Sequence, residues 1–131
     1  MKKGYFANIE ELTLNNTDFR RVLYTGAHSQ LVLMSLRPNE EIGAEVHENV
    51  DQFFRFEKGN GKVIINETEY IVKDGDVIIV PAGSKHNVIN ISNDSDLKLY
   101  TVYSPANHLD GTVHKTKADE VEEHFDGKTT E

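Results

Sequence analysis

The chain has no cysteine in its 131 residues. That excludes a disulfide, a thiolate metal ligand and a cysteine nucleophile. Basic residues are in short supply, 14 Lys and Arg against 22 Asp and Glu, for a formal net charge of −8. Nucleic acid and anionic membrane surfaces are gripped by clustered Lys and Arg, so neither is an expected partner. No apolar run approaches the roughly 18 residues of a membrane span. The opening MKKGYFANIEELT has two lysines with no apolar stretch behind them, so it does not read as a signal peptide, and the expected location is cytoplasmic. A glycine-rich phosphate loop and a Ser/His/Asp arrangement are both missing.

What is present is a rhythm of short β-type runs. FRRVLYT closes at Gly26, QLVLMSL at RPNEE, and QFFRFE at Gly59-Asn60-Gly61. KVIIN and EYIV flank a short turn, DVIIV ends at Pro81-Ala82-Gly83, HNVINI at SNDSD, and LKLYTVY before Pro105. Val, Ile, Tyr, Phe and Thr fill these runs, and none reaches ten residues before a breaker, which rules out helices there. Turn signals every 8–12 residues predict an all-β sandwich or barrel. We expect one domain over residues 1–131, with the barrel at about 19–104 and a C-terminal extension at 105–131. Strict alternation puts Arg20, Val22 and Tyr24 on one face of the first run. In the extension, ADEVEEHF is a candidate short acidic helix and DGKTTE reads as frayed. ANHLDGTVHKTK is irregular, and whether it folds back over the barrel or stays in solvent is left open.

Two segments carry chemistry. In GAEVHENVDQFFRFEKG, Glu45 and His47 lie two apart, so on a strand they point the same way, roughly 6.5–7 Å from each other. Gln52 stands at an odd offset from His47 and would face away unless a turn or bulge in ENVD resets the phase. Asp51 and Glu48 are the substitutes if the break falls elsewhere. In GDVIIVPAGSKHNVIN, His86 follows a tight Pro81-Ala82-Gly83 turn, whose stiff backbone suits a ligand.

The second segment resembles the second signature motif of the cupin superfamily, G-x5-P-x-G-x2-H-x3-N, at Gly75, Pro81, Gly83, His86 and Asn90. The first cupin motif includes H-x-H-x3–4-E-x6-G, and this chain has Glu45-x-His47-x4-Gln52-x6-Gly59. Spacing and closing glycine agree; a glutamate replaces the first histidine and a glutamine replaces the glutamate. The whole chain is similar to small single-domain bacterial cupins, some of them labelled by likeness to mannose-6-phosphate isomerase.

The resemblance implies a jelly-roll antiparallel β-barrel with a short C-terminal tail and metal ligands at Glu45, His47, Gln52 and His86. It also implies one divalent transition metal, with Zn, Fe and Mn suited to two nitrogen and two oxygen donors. Arg20, Tyr24, Met34, Phe54 and Tyr103 are candidates for the cavity wall. His108 and His114 read first as exposed tail residues, with a lid over the site as the minority reading. Three functions stay open: a sugar-isomerase-like enzyme on a small polyoxygenated metabolite, an Fe-dependent dioxygenase, and a non-catalytic binding or sensing module. The expected partners are a small-molecule ligand and a second copy of the chain in a homodimer.

Overall fold

Alternating side chains in these runs need two apolar faces to bury against each other, and the chain supplies them as two antiparallel sheets. The computed structural model describes residues 1–131. The strands are β1 (Arg20–Thr25), β2 (Gln30–Leu36), β3 (Asp51–Lys58), β4 (Asn60–Ile65), β5 (Thr68–Lys73), β6 (Val77–Val80), β7 (His86–Asn90), β8 (Leu97–Ser104) and β9 (Val113–His114). The larger sheet runs β6-β3-β8-β2-β1-β9 and the smaller β5-β4-β7. The first eight strands coincide with the apolar runs to within two residues at each end.

The two sheets face each other across one core of 15 buried residues. Val32, Met34 and Leu36 of β2, Phe54 and Phe56 of β3 and Leu97 and Leu99 of β8 meet Val63, Val72 and Val88 of the smaller sheet. Those residues alternate along each strand, as a half-buried strand requires. Gly59, at the β3–β4 hairpin, has φ +111°, and a Cβ there would lie 2.7 Å from the Asp96 carbonyl oxygen. The closing glycine of the first motif is therefore a packing requirement as well as a turn.

Three local features depart from the sequence expectations, and a fourth decides what the sequence left open. A bulge between Val22 and Tyr24 re-phases β1, so Thr25 rather than Tyr24 turns inward. A short helix, α1 (Ile9–Asn15), precedes the sheets, capped by the Asn8 side chain, which accepts from the Glu11 backbone N–H at 3.0 Å. At seven residues it is too short to stand alone. It packs on the outer face of β2, β3 and β8, and Lys98 of β8 donates to the Asn16 carbonyl. The extension folds back: β9 adds an edge to the larger sheet beside β1. Finally, the segment 118–125 is not a helix. Only a 3-10 turn forms, Lys117–Asp119, and the chain then runs on without regular structure. Glu120, Glu122 and Glu123 instead lie along the cavity. No helix is long and apolar enough to cross a membrane.

Candidate metal and ligand site

The phase problem around Gln52 is solved by a change of sheet. Glu45 pairs with His86 at the edge of the smaller sheet, each backbone N–H donating to the other's carbonyl at 2.9 Å. The chain turns at Glu48 and Asn49 and enters the larger sheet at Asp51. Gln52 then faces inward, 2% exposed. The Gly83 N–H donates to the His47 carbonyl at 2.8 Å, so the two motifs are held in register by three backbone bonds. Gly83 itself has φ +83°, which the tight turn before His86 requires.

Three of the side chains gather. His47 Nε2 lies 3.0 Å from Glu45 Oε2, and the His47 and His86 ring centroids are 5.3 Å apart. The His47–Glu45 approach is close, yet its angles are not those of a hydrogen bond, and His47 Nε2 is buried without a partner. A spacing of 3.0 Å is that of two neighbouring donors each about 2.1 Å from a shared ion. His86 Nδ1 donates to the Ser84 carbonyl at 3.0 Å, which leaves Nε2 as the lone-pair nitrogen. Gln52 Nε2 donates to Thr101 Oγ1 at 3.0 Å, while its Oε1 is buried and unpaired. Glu45, His47 and His86 are neighbours, but they do not close on a single point as a ready-made three-ligand cluster.

Burial pushes the Glu45 carboxyl up, but His47 beside it, with Arg20 and His86, outweighs this and holds it below the usual carboxylate range. Burial pulls His86 down, opposed by the Ser84 carbonyl and assisted by His47, so its ring stays neutral near pH 7. A carboxylate beside the neutral His86 ring is a protonation state that suits a cation.

Glu45 and His47 form one wall of a cavity of about 480 Å³, with Ile42, Arg20 and His108 around it and Glu120 to His124 at its mouth. Arg20, on the inner face of β1, is 2% exposed. Tyr103 is buried beside His47, its ring 5.8 Å away. Phe54 stacks with Phe56 in the core, its ring centroid 6.3 Å from that of His86 in an edge-on arrangement, while Met34 is wholly core. Tyr24 does not reach the cavity: the β1 bulge turns it outward, and its hydroxyl donates to Glu131 at 2.7 Å.

Two histidines expected on an exposed tail are buried instead. His108 Nε2 lies 3.1 Å from the Tyr103 hydroxyl, and burial, with Arg20 and His47 nearby, lowers its pKa to about 3. Burial pushes the Tyr103 hydroxyl far up, so both groups are neutral near pH 7. His114, in β9, receives a hydrogen bond from Arg20 at 3.2 Å. Sequence reasoning also missed Glu120, whose Oε2 meets the same Arg20 nitrogen at 2.6 Å. The β1–β9 pairing brings His114 and Glu120 to Arg20, while the Gln30 amide holds His108, donating to its carbonyl and accepting from its N–H; neither residue spacing nor composition encodes these contacts. The DGKTTE segment is tied down too: Thr130 donates to the Thr25 carbonyl, and the Glu131 carboxylate accepts from Lys3 and Gly4.

Two facing antiparallel sheets with histidines gathered at one open end define a small jelly-roll protein built around an internal site. Comparison with known proteins agrees with the motifs. The cupin domain model matches residues 32–103. The chain is 49% identical to the YrkC protein of Bacillus subtilis over 125 residues, 91% of this chain and 67% of that one. It is 46% identical to the L612 protein of Acanthamoeba polyphaga mimivirus, over 83% of this chain and 70% of that one. The crystal structure of the BH2720 protein from Bacillus halodurans superposes with a TM-score of 0.86 at 44% identity, covering 89% of this chain and 92% of that one. The chain belongs to the cupin family.

Proposed function

We propose that this chain is a mononuclear metal-binding cupin that acts on a small polyoxygenated molecule. One divalent transition metal, Zn, Fe or Mn, would be held by Glu45, His47, His86 and Gln52. The observation that carries the reading is the pair of unpartnered buried atoms, His47 Nε2 and Gln52 Oε1. Leaving a buried polar atom unpaired costs about 1–3 kcal/mol, and a bound cation satisfies both. The donor set fits: one carboxylate, two imidazoles and one amide oxygen suit a borderline or hard ion.

Such an ion supplies Lewis acidity, polarising a carbonyl or hydroxyl oxygen of the ligand. The chain's own residues do the rest. Ser84 fixes the His86 tautomer, and Thr101 orients the Gln52 amide. The Tyr103 hydroxyl and His108 Nε2 share one proton 3.1 Å apart beside His47, a proton-holding pair away from the ligand atoms. Burial holds both groups neutral near pH 7, so this pair fixes the His108 ring at the cavity rather than acting as a ready acid or base. Glu45, His47 and His86 also have the ligand content of a two-histidine, one-carboxylate iron site, so an Fe-dependent dioxygenase is the second reading.

Elemental analysis of untagged protein, before and after reconstitution, tests the metal; no stoichiometric transition metal in either sample overturns the proposal. Aldose–ketose exchange that survives strict anaerobiosis supports the isomerase, and oxygen uptake by the Fe form supports the dioxygenase. A loaded protein that binds small polyols without either activity is a binding module. A homodimer is the expected assembly, since edge strands β5 and β6 leave Ile71 and Ile79 exposed. Light scattering should return twice the chain mass.

A further inference from the structure

The buried guanidinium of Arg20 is more than a strut for the tail. It lines the cavity and is 2% exposed. A single nitrogen, Nη1, carries both of its side-chain contacts, to Glu120 Oε2 at 2.6 Å and to His114 Nδ1 at 3.2 Å. Its Nε is buried with no partner at all. An arginine fork presents two parallel N–H groups to a fitting carboxylate, and Glu120 meets one of them. Glu120 is thus an imperfect occupant of a site that a free carboxylate would fill on two points.

The segment that brings Glu120 is built to leave. Its upstream end is fixed by Thr116, whose backbone N–H and hydroxyl both donate to Asp119, and by Lys117, which donates to the Glu41 carbonyl. Its downstream end is fixed by Phe125, whose N–H donates to the Asn107 carbonyl at 3.0 Å. Between these anchors, residues 121–124 make no backbone–backbone hydrogen bond and are exposed. Lifting this strap breaks the Arg20–Glu120 ion pair and at most the turn bond from the Glu120 N–H to the Lys117 carbonyl, and no ladder. It also carries Glu122 and Glu123 away from the mouth, so an incoming anion exchanges charge at Arg20 without adding to the negative rim.

We propose that Arg20 is a carboxylate subsite of this cavity, with Glu120 as its internal occupant, exchanged for the carboxylate of a small organic acid. The inference rests on the reading that the cavity binds a small oxygenated ligand, and it narrows that ligand to an acid. It does not rest on the metal, so the test is run on chelator-treated full-length protein. Glycolate and its uncharged counterpart glycolamide are titrated separately and followed by the Arg20 Nε–H resonance and by calorimetry. In Glu120→Gln, which removes the competing charge but keeps the shape, glycolate should bind about tenfold more tightly than to the wild type. Glycolamide should be unaffected by that substitution. In Arg20→Gln the preference for glycolate should vanish; should that variant not fold, Glu120→Gln decides alone. Glycolate binding to Glu120→Gln no more tightly than glycolamide, or less tightly than to the wild type, overturns the proposal. Mn²⁺ titration of the same samples reports on the metal separately, so failure of either reading leaves the other legible.

Discussion

Asn90 closes the second cupin motif, four residues beyond His86 on β7, about 13 Å away along the strand. Its role here is mechanical. It is 1% exposed, and its Nδ2 donates to the carbonyls of Leu36, Arg37 and Ser95 at 3.1, 3.0 and 2.9 Å. Its Oδ1 accepts from the Ser92 N–H at 3.0 Å. One side chain therefore ties the end of β2, the turn after it and the β7–β8 loop to the smaller sheet. Asn90→Ala leaves one donor and up to three acceptors without partners in a mostly buried place. At roughly 1 kcal/mol per lost bond, the expected loss is about 3–4 kcal/mol. That is a large share of the 5–15 kcal/mol typical of a domain. Asn90→Asp should be at least as harmful, because it keeps the Ser92 bond but turns a carboxylate toward three carbonyl oxygens. Urea unfolding followed by circular dichroism measures both. With a slope of about 1.5 kcal/mol/M, the Ala midpoint should fall by about 2–3 M. Metal affinity of the still-folded variants should not change. A loss below about 1 kcal/mol, or a metal defect with intact stability, would refute the reasoning.

Three further outcomes are expected. Gly59→Ala should cost about 3 kcal/mol or more, because its Cβ meets backbone at 2.7 and 3.1 Å as well as a positive φ. Gly75→Ala, at φ +89° with nothing within 4 Å, should cost only about 1–2 kcal/mol, and equal losses in thermal unfolding would contradict the packing account. His108 has a folded pKa of about 3, below its unfolded value, so its contribution is full at neutral pH and declines as pH falls below about 6.5. By pH 5 it should account for about 2 kcal/mol of lost stability, read as the difference between wild-type and His108→Gln pH profiles. A constant difference across pH 7.5 to 5 would show that the ring is not buried neutral. Gln52→Leu should weaken metal binding at least tenfold while leaving the unfolding midpoint nearly unchanged, since it removes an unpaired oxygen along with the Thr101 bond. Unchanged metal affinity by calorimetry would remove Gln52 from the ligand set.

Much of the fold was legible because β-strands bounded by turns write a two-residue alternation directly into the chain. Eight of the nine strands lie where apolar runs meet Gly, Pro and Asn, and Gly59, Gly75 and Gly83 take the positive φ that their turns demand. The pairing of Glu45 and His47 was legible for the same reason, since i and i+2 share a face. Gln52 was not, because its side depends on the chain leaving one sheet for the other between Glu48 and Asp51. Tyr24 was misplaced by alternation because a bulge interrupts β1. Helix α1 was missed because seven residues carry too little periodicity, and its stability comes from packing on β8.

The sequence by itself determined the alternation, the turns, the charge balance and the two motifs, all of which depend on near neighbours along the chain. Tertiary structure alone decided what surrounds the site. His114 and Glu120 come from a segment with no strong local preference and reach Arg20 as β9 pairs with β1, while His108 is held beside Tyr103 by the Gln30 amide. Contacts between residues some 94 and 100 positions apart leave no periodic trace in a single chain, because the pairing is selected by the whole fold's packing.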